Sequence, residues 1–335
     1  MKKAILVIAL LITGVSFVFA WGAWGHQHIN RAAVFALPEG MQPFFYNHID
    51  FITEESVIPD LRKYTINDRA EFPRHYINME TYGEGEEKEG HLPQTMEEAK
   101  ARFADTLMNK AGTLPWYIQE VEEKLTKAFK VGRKAEILFL AADLGHYIGD
   151  AHMPLHTALN HNGQLTGQKG IHAFWEGQLP EMFGEGYNLH TGEAKYIPDL
   201  TRETWRMLYA THRLADSLLA TDRELTANLP KEKIYRMDTA GHILTNQFGD
   251  PVHTQEYAKK YHDALHGMIE QQLRRAIAAT ADYWYTAWVN AGKPDLSHLD
   301  PAALTERNKR NLRRDLRRWR DGKVDMFRAD KEFDL

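Results

Sequence analysis

Apolar positions recur along the chain mostly at spacings of three and four, the period of an amphipathic helix, and seldom at the alternating spacing of a strand. Thr95 with Glu98 forms a T-x-x-E capping box before one such run, which the pattern extends to Ala111 and Gly112. Thr113-Leu114-Pro115 opens another that reaches about Phe129. Pro154 cannot sit inside a helix and pushes Met153 towards extended backbone, so the helix of the central stretch stops by about residue 152. From Thr254, Tyr261, Leu265, Met268, Leu273, Ile277, Trp284 and Trp288 form a stripe closed by Gly292 and Pro294, long enough to call for a bend at Gly267. Its aromatic end reads as core. Residues 80–93, rich in Gly and Glu, read as an exposed loop. The pattern predicts an all-α fold: one multi-helix domain over residues 21–299, preceded by a signal peptide at 1–20 and followed by a basic tail at 300–335.

At 335 residues and 43% hydrophobic content the chain can bury a substantial core, which excludes a disordered or fibrous protein. The first twenty residues, with Lys2 and Lys3, an apolar run and the small Ala20, have the layout of a secretory signal. They predict export to the periplasm or the extracellular space, with cleavage before Trp21. The chain has no Cys, so neither a lipid anchor nor a disulfide is available, and its core, aided by metal, must hold it together. Losing Lys2 and Lys3 leaves 39 of the 41 basic residues against 46 acidic ones, a net charge of −7. The stretch from Arg307 to Arg320 alone carries eight Lys/Arg and one Asp, or +7, so the rest of the mature chain is near −14. That contrast favours docking of the tail on the body by charge. The alternative is an arm for anionic surfaces.

The chemistry concentrates between Leu138 and Glu176. Residues four apart share a helix face, so His146 and Asp150 point the same way, as do His172 and Glu176. Each pair sets an imidazole beside a carboxylate, a ligand set that suits zinc, and His156 lies in the H-x-P-L-H turn between them. His152 falls about 240° round the helix from His146 and points away. Asp143, three residues before His146, lies on the ligand side and reads as a hydrogen-bond partner for a ligand.

Read with Trp21, His26, and Asp60 and His75 fifteen residues apart, these residues make the chain resemble the superfamily of bacterial zinc-dependent phospholipase C and the single-strand-specific zinc nucleases. The resemblance runs in order from Trp21 to about Leu296. It implies an all-α fold around three Zn2+ ions. One ion would take Asp60, His75, His146 and Asp150, and a second His156, His172 and Glu176. The third would take the amino nitrogen and carbonyl oxygen of Trp21, His26 and the other oxygen of Asp150. Cleavage before Trp21 would create that chelating amine. A zinc-held water has its pKa lowered towards neutrality and attacks phosphorus as hydroxide, with Asp60, as in the family, orienting it or taking its proton.

The expected activity is hydrolysis of a phosphodiester, and the sequence indicates no obligate protein partner. The substrate marks divide. Tyr76 and Asn78 resemble the nuclease residues that hold a base. Glu176 in place of the nucleases' Asp, the gap of sixteen from His156 to His172 and the lack of Cys resemble phospholipase C, for which Tyr76 or Phe174 would face a choline-type group. The balance leans to phospholipase C, with a single-strand nuclease as the alternative. Lys63 is a further candidate substrate contact, for phosphate. A non-catalytic, zinc-stabilised exported protein is the third reading, and the three-ligand second site counts against it because structural zinc is closed by four protein ligands. N-terminal sequencing of the exported protein is expected to read Trp-Gly-Ala-Trp. Any other start would remove the amine ligand from the third site.

Overall fold

The structure, a computed structural model, describes residues 22–83, 91–246, 249–324 and 326. The signal segment, Trp21 and residues 84–90 of the expected loop lie outside the described residues. The helices in chain order are α1 (Gly22–Ala36), α2 (Gln42–Asn47), α3 (Ile49–Glu55), α4 (Ile58–Tyr64), α5 (Met96–Arg102), α6 (Asp105–Ala111), α7 (Leu114–Val131) and α8 (Lys134–Ala151). They continue with α9 (Ile171–Ala173), α10 (Leu179–Phe183), α11 (Leu200–His212), α12 (Ala215–Thr226), α13 (Lys231–Ile234), α14 (Gln255–Ala264), α15 (Met268–Asn290) and α16 (Ala302–Arg320). Helix makes up 67% of the structure and the described residues include no strand, only three isolated bridges between 235 and 253, so the fold is all-α.

Local sequence explains most boundaries. The capping box forms in both directions, with Glu98 N donating to Thr95 Oγ1 at 3.3 Å and Thr95 N to Glu98 Oε2 at 3.2 Å. The run it opens is interrupted where Phe103 turns extended and sets its ring 4.8 Å from that of Tyr82, giving α5 and α6 instead of one helix. α7 ends at Gly132 in left-handed backbone (φ 66), as α8 ends just ahead of Pro154. The long C-terminal run breaks rather than bends. His266 (φ 49) and Gly267 (φ 78) both turn left-handed and separate α14 from α15.

The core lies among α1, α7, α8 and α15, where Trp284, Phe45, Phe129 and Tyr147 are almost wholly buried. A second apolar cluster gathers Phe174, Trp175, Tyr257, Tyr261 and Leu273 under α12 and α14, and α1 supplies Ile29 and Ala32 to it. α1 and α8 approach closely because α8 has glycines one turn apart. A Cβ on Gly145 would sit 1.9 Å from Asn30 Oδ1, and one on Gly149 3.0 Å from His26 Nδ1. Asn30 then ties the layers together, donating to Ala142 O at 3.0 Å and Ile52 O at 3.2 Å.

The basic tail docks on the body, with an uncharged helix face turned inward. α16 turns Thr305, Asn308, Leu312 and Trp319 inward. Trp319 packs 6.3 Å from the Phe35 ring, Asn308 donates to Asn47 Oδ1 at 3.1 Å, and Asp300 pairs with His48 at 2.9 Å. A Trp319→Ala substitution is expected to lower the unfolding free energy by about 3 kcal/mol through the cavity it leaves. A thermal melt within a degree of the parent would show that α16 contributes nothing to the core.

Candidate metal centre

Two glycine-dependent approaches and one turn bring the candidate ligands together. α8 presents His146 and Asp150 one turn apart, with His146 Nε2 3.3 Å from Asp150 Oδ2. His75 closes a 3-10 turn, Phe72–His75, and the chain beyond it is clamped from both sides. Ile77 N donates to His156 O at 2.8 Å, and Asn78 N to Ala111 O at 2.7 Å. The 111–113 turn comes so near that a Cβ on Gly112 (φ 89) would fall 2.0 Å from Tyr76 O. His75 Nδ1 thereby stands 3.0 Å from Asp150 Oδ2, 3.1 Å from His146 Nε2 and 3.6 Å from Asp60 Oδ1. In the second group, His172 Nε2 is 3.1 Å from both His156 Nε2 and Glu176 Oε1, and His156 Nε2 is 3.4 Å from Glu176 Oε2. Glu176 reaches its place from a single π-helical turn, Phe174–Gln178, a local distortion found mostly at functional sites.

The other ring nitrogens decide what these atoms are. His146 Nδ1 lies 2.8 Å from Ser56 O, His156 Nδ1 2.7 Å from His75 O, and His172 Nδ1 2.8 Å from His161 O. A carbonyl only accepts, so each of those nitrogens carries the proton and each Nε2 turns a lone pair inward. His75 Nε2 sits 3.4 Å from Glu71 Oε1, which leaves Nδ1 as its inward lone pair. Neutral nitrogens 3.1 Å apart beside buried carboxylates repel one another unless a cation lies between them. Ligands roughly 2.0–2.1 Å from a tetrahedral zinc stand about 3.4 Å apart, which is the spacing seen here, so the residues fit zinc. Titration agrees. Burial opposes ionisation of Asp150 and Glu176, yet the surrounding histidines hold both well below the usual carboxylate range. Burial alone lowers His146 and His156, but Asp150 outweighs it and raises both. The carboxylates call for positive charge, from protons or from metal.

His26 is fully buried, neither ring nitrogen has a hydrogen-bond partner, and Nε2 lies 3.6 Å from Asp150 Oδ1. Burial, helped by His146, keeps its ring neutral, ready to act as a ligand.

A model of the S1/P1 nuclease family matches residues 21–290. The chain belongs to the S1/P1 nuclease family. It is therefore a zinc-dependent hydrolase of phosphodiester bonds, with phospholipase C and nuclease chemistry both within its superfamily. No individual curated protein matches the chain.

Of the residues predicted from sequence, His26, Asp60, His75, His146, Asp150, His156, His172 and Glu176 all gather in the candidate centre; Trp21 lies outside the described residues. Beside them opens a cleft of about 560 Å³ that Lys63, Tyr76 and Asn78 line. Phe174 corrects one expectation. It is 2% exposed, stacks 3.6 Å from the His253 ring and belongs to the second core, so it offers no face to a substrate. Asp143 corrects another. It touches no ligand; it accepts from Arg62 Nη2 at 2.7 Å, and Arg62 Nε reaches Glu71 at 3.2 Å. His152 points away as expected, with Nδ1 2.8 Å from Ile148 O, and His28 stacks on Trp24 instead of joining His26.

Glu71 is the residue that pattern reading missed. It is fully buried, accepts from the Tyr147 hydroxyl, pairs with Arg62 and Arg74, and braces His75. These partners hold its carboxyl below the usual range against the effect of burial. Its spacing of four from His75 is the signal used elsewhere, but on a 3-10 turn that rule does not define a face. Asp150→Ala is expected to lower zinc content most in metal analysis, because it removes a ligand from the groups around both His75 and His26, and Glu71→Gln to weaken binding at the His75 group 10–100-fold by loosening that ring. His152→Ala should leave zinc content unchanged. Equal losses at 150 and 152 would overturn the ligand assignment.

Proposed function

We propose that the chain is an exported, three-zinc endonuclease of single-stranded DNA or RNA. The observation that carries this reading is Asn78. Among the described residues its Oδ1 is buried without a hydrogen-bond partner in the wall of the cleft beside the metal centre, next to the partly exposed ring of Tyr76. A nucleobase satisfies both, donating an exocyclic N–H to Asn78 and stacking on Tyr76. Tyr64 and Phe72 extend the aromatic wall, and Lys63 and Lys110 give the cleft the charge a phosphate backbone needs. The same lysines oppose the quaternary ammonium of a choline head group, and the buried Phe174 removes half of the aromatic cage that such a group would use. This reading departs from the sequence-level lean towards phospholipase C.

In this proposal the three ions take the ligand sets given above, with Asp150 shared through its two oxygens. Zinc supplies an acidified water and positive charge for the phosphoryl oxygens. Asp60 orients that water or takes its proton. Lys63, with Nζ 3.4 Å from Asp60 Oδ1, is kept protonated by that carboxylate despite burial and holds it in place. His156, His172 and Glu176 would hold one zinc with only three protein ligands, and that ion would supply positive charge to a substrate phosphoryl oxygen.

Assays of one zinc-loaded preparation on single-stranded DNA, RNA and phosphatidylcholine are expected to give cleaved nucleic acid and no phosphocholine; the reverse result would restore the phospholipase reading. Asn78→Ala is expected to raise KM for single-stranded DNA about tenfold, roughly 1.4 kcal/mol, while leaving hydrolysis of bis(4-nitrophenyl) phosphate unchanged.

A further inference from the structure

Helix α16 lies beyond the segment that the family model matches and carries charge that the fold does not use. Its inward side is Thr305, Asn308, Leu312 and Trp319, none of them charged. Arg310, Arg313, Arg317 and Arg320 recur at spacings of three, four and three and are all exposed, so they form one outward stripe roughly 15 Å long. Arg310 and Arg313 lie near Glu306, which already pairs with Lys309 at 2.8 Å, and Arg313 and Arg320 border a groove that Glu39, Glu193 and Asp295 also line, with no ion pair to any of these three among the described residues. Arg317 and Arg320 have no ion pair among the described residues. Like charges at these spacings repel, so the stripe works against the helix that carries it.

We infer that this stripe is an accessory site for the phosphate backbone of single-stranded nucleic acid, engaged by long substrates and not by short ones. A membrane surface fits less well. A membrane-lying helix buries an apolar face in lipid, whereas the apolar face of α16 is spent in the core and the helix exposes no large hydrophobic residue. The site is remote from the metal centre. Asp300, just ahead of α16, pairs at 3.7 Å with Lys134, which begins α8 roughly 18 Å along the helix axis from His146, and at the other end Trp319 packs on Phe35, roughly 13 Å along α1 from His26. A dinucleotide in the cleft cannot span that distance, and a polynucleotide can.

The inference rests on the nucleic-acid reading above, so its test uses two substrate lengths. Zinc-loaded parent and the R310Q/R313Q/R317Q/R320Q variant are compared on a dinucleotide and on a 60-residue single-stranded DNA across a salt series, with thermal melts as a check on folding. For the variant, kcat/KM on the long DNA is expected to fall about tenfold at low salt. The slope of its logarithm against log salt should flatten by roughly three, at ~0.7 for each phosphate that an arginine no longer neutralises. Dinucleotide cleavage should not change. Equal kcat/KM on the long DNA, or an equal loss on both substrates, would overturn the inference. So would an unchanged DNA result accompanied by lost binding to phosphatidylserine vesicles. If the parent cleaves neither substrate, the nucleic-acid reading itself fails, an outcome distinct from failure of the stripe alone.

Discussion

Everything at the centre of this molecule depends on the Asp150 carboxylate, buried with several inward-facing imidazole lone pairs. Oδ2 meets the inward nitrogens of His75 and His146, while Oδ1 meets His26 and the protonated Nδ1 of His156. Such a cluster is unfavourable in a dry interior without compensating positive charge. The fold accepts it because a metal repays the desolvation, which is how a chain without disulfides couples its stability to its chemistry. Its two oxygens face different rings, so Asp150 also fixes the spacing between the His75 and His146 side and the His26 and His156 side.

The cluster is possible because backbone, not side chains, fixes most of the rings. Ser56, His75 and His161 carbonyls each take an imidazole proton, and the tautomers follow from that alone. Carbonyls are held by secondary structure, so the lone pairs are aimed before any metal arrives. Only His75 relies on a side chain, and there the protein assembles Arg62, Arg74, Asp143 and Tyr147 into a partly buried network around the buried Glu71. His75 and Tyr147, and then Arg62, keep Glu71 ionised behind the imidazole, which makes His75 a better ligand.

Charge is distributed with similar separation of roles. Lysines face the cleft, carboxylates face the metals, and the arginines of α16 face solvent on a helix held by Leu312 and Trp319. A tail that balanced an acidic body by salt bridges would turn the other way. Its attachment through an indole, a leucine and an asparagine pair leaves Arg310, Arg313, Arg317 and Arg320 exposed on the opposite side.

The sequence by itself determined the helical class, the capping box at Thr95, the stop before Pro154 and nearly the whole set of candidate ligands, because these depend on local periods and on side-chain chemistry that neighbours do not alter. It placed a bend at Gly267, where the structure has a full break between two helices. Tertiary structure decided the rest. Whether Phe174 meets substrate or core depends on His253, Tyr257 and Tyr261, all more than seventy residues away, and a π-helical turn that no periodicity announces sets Glu176. Asp143 sits on the predicted face, but Arg62 reaches it first. Glu71 is coupled to His75 through a turn whose geometry lies outside the helical rule, and the outward aim of α16 follows from which of its faces found Phe35 and Asn47. Local order is written in spacing, whereas exposure and pairing are settled only when distant segments meet.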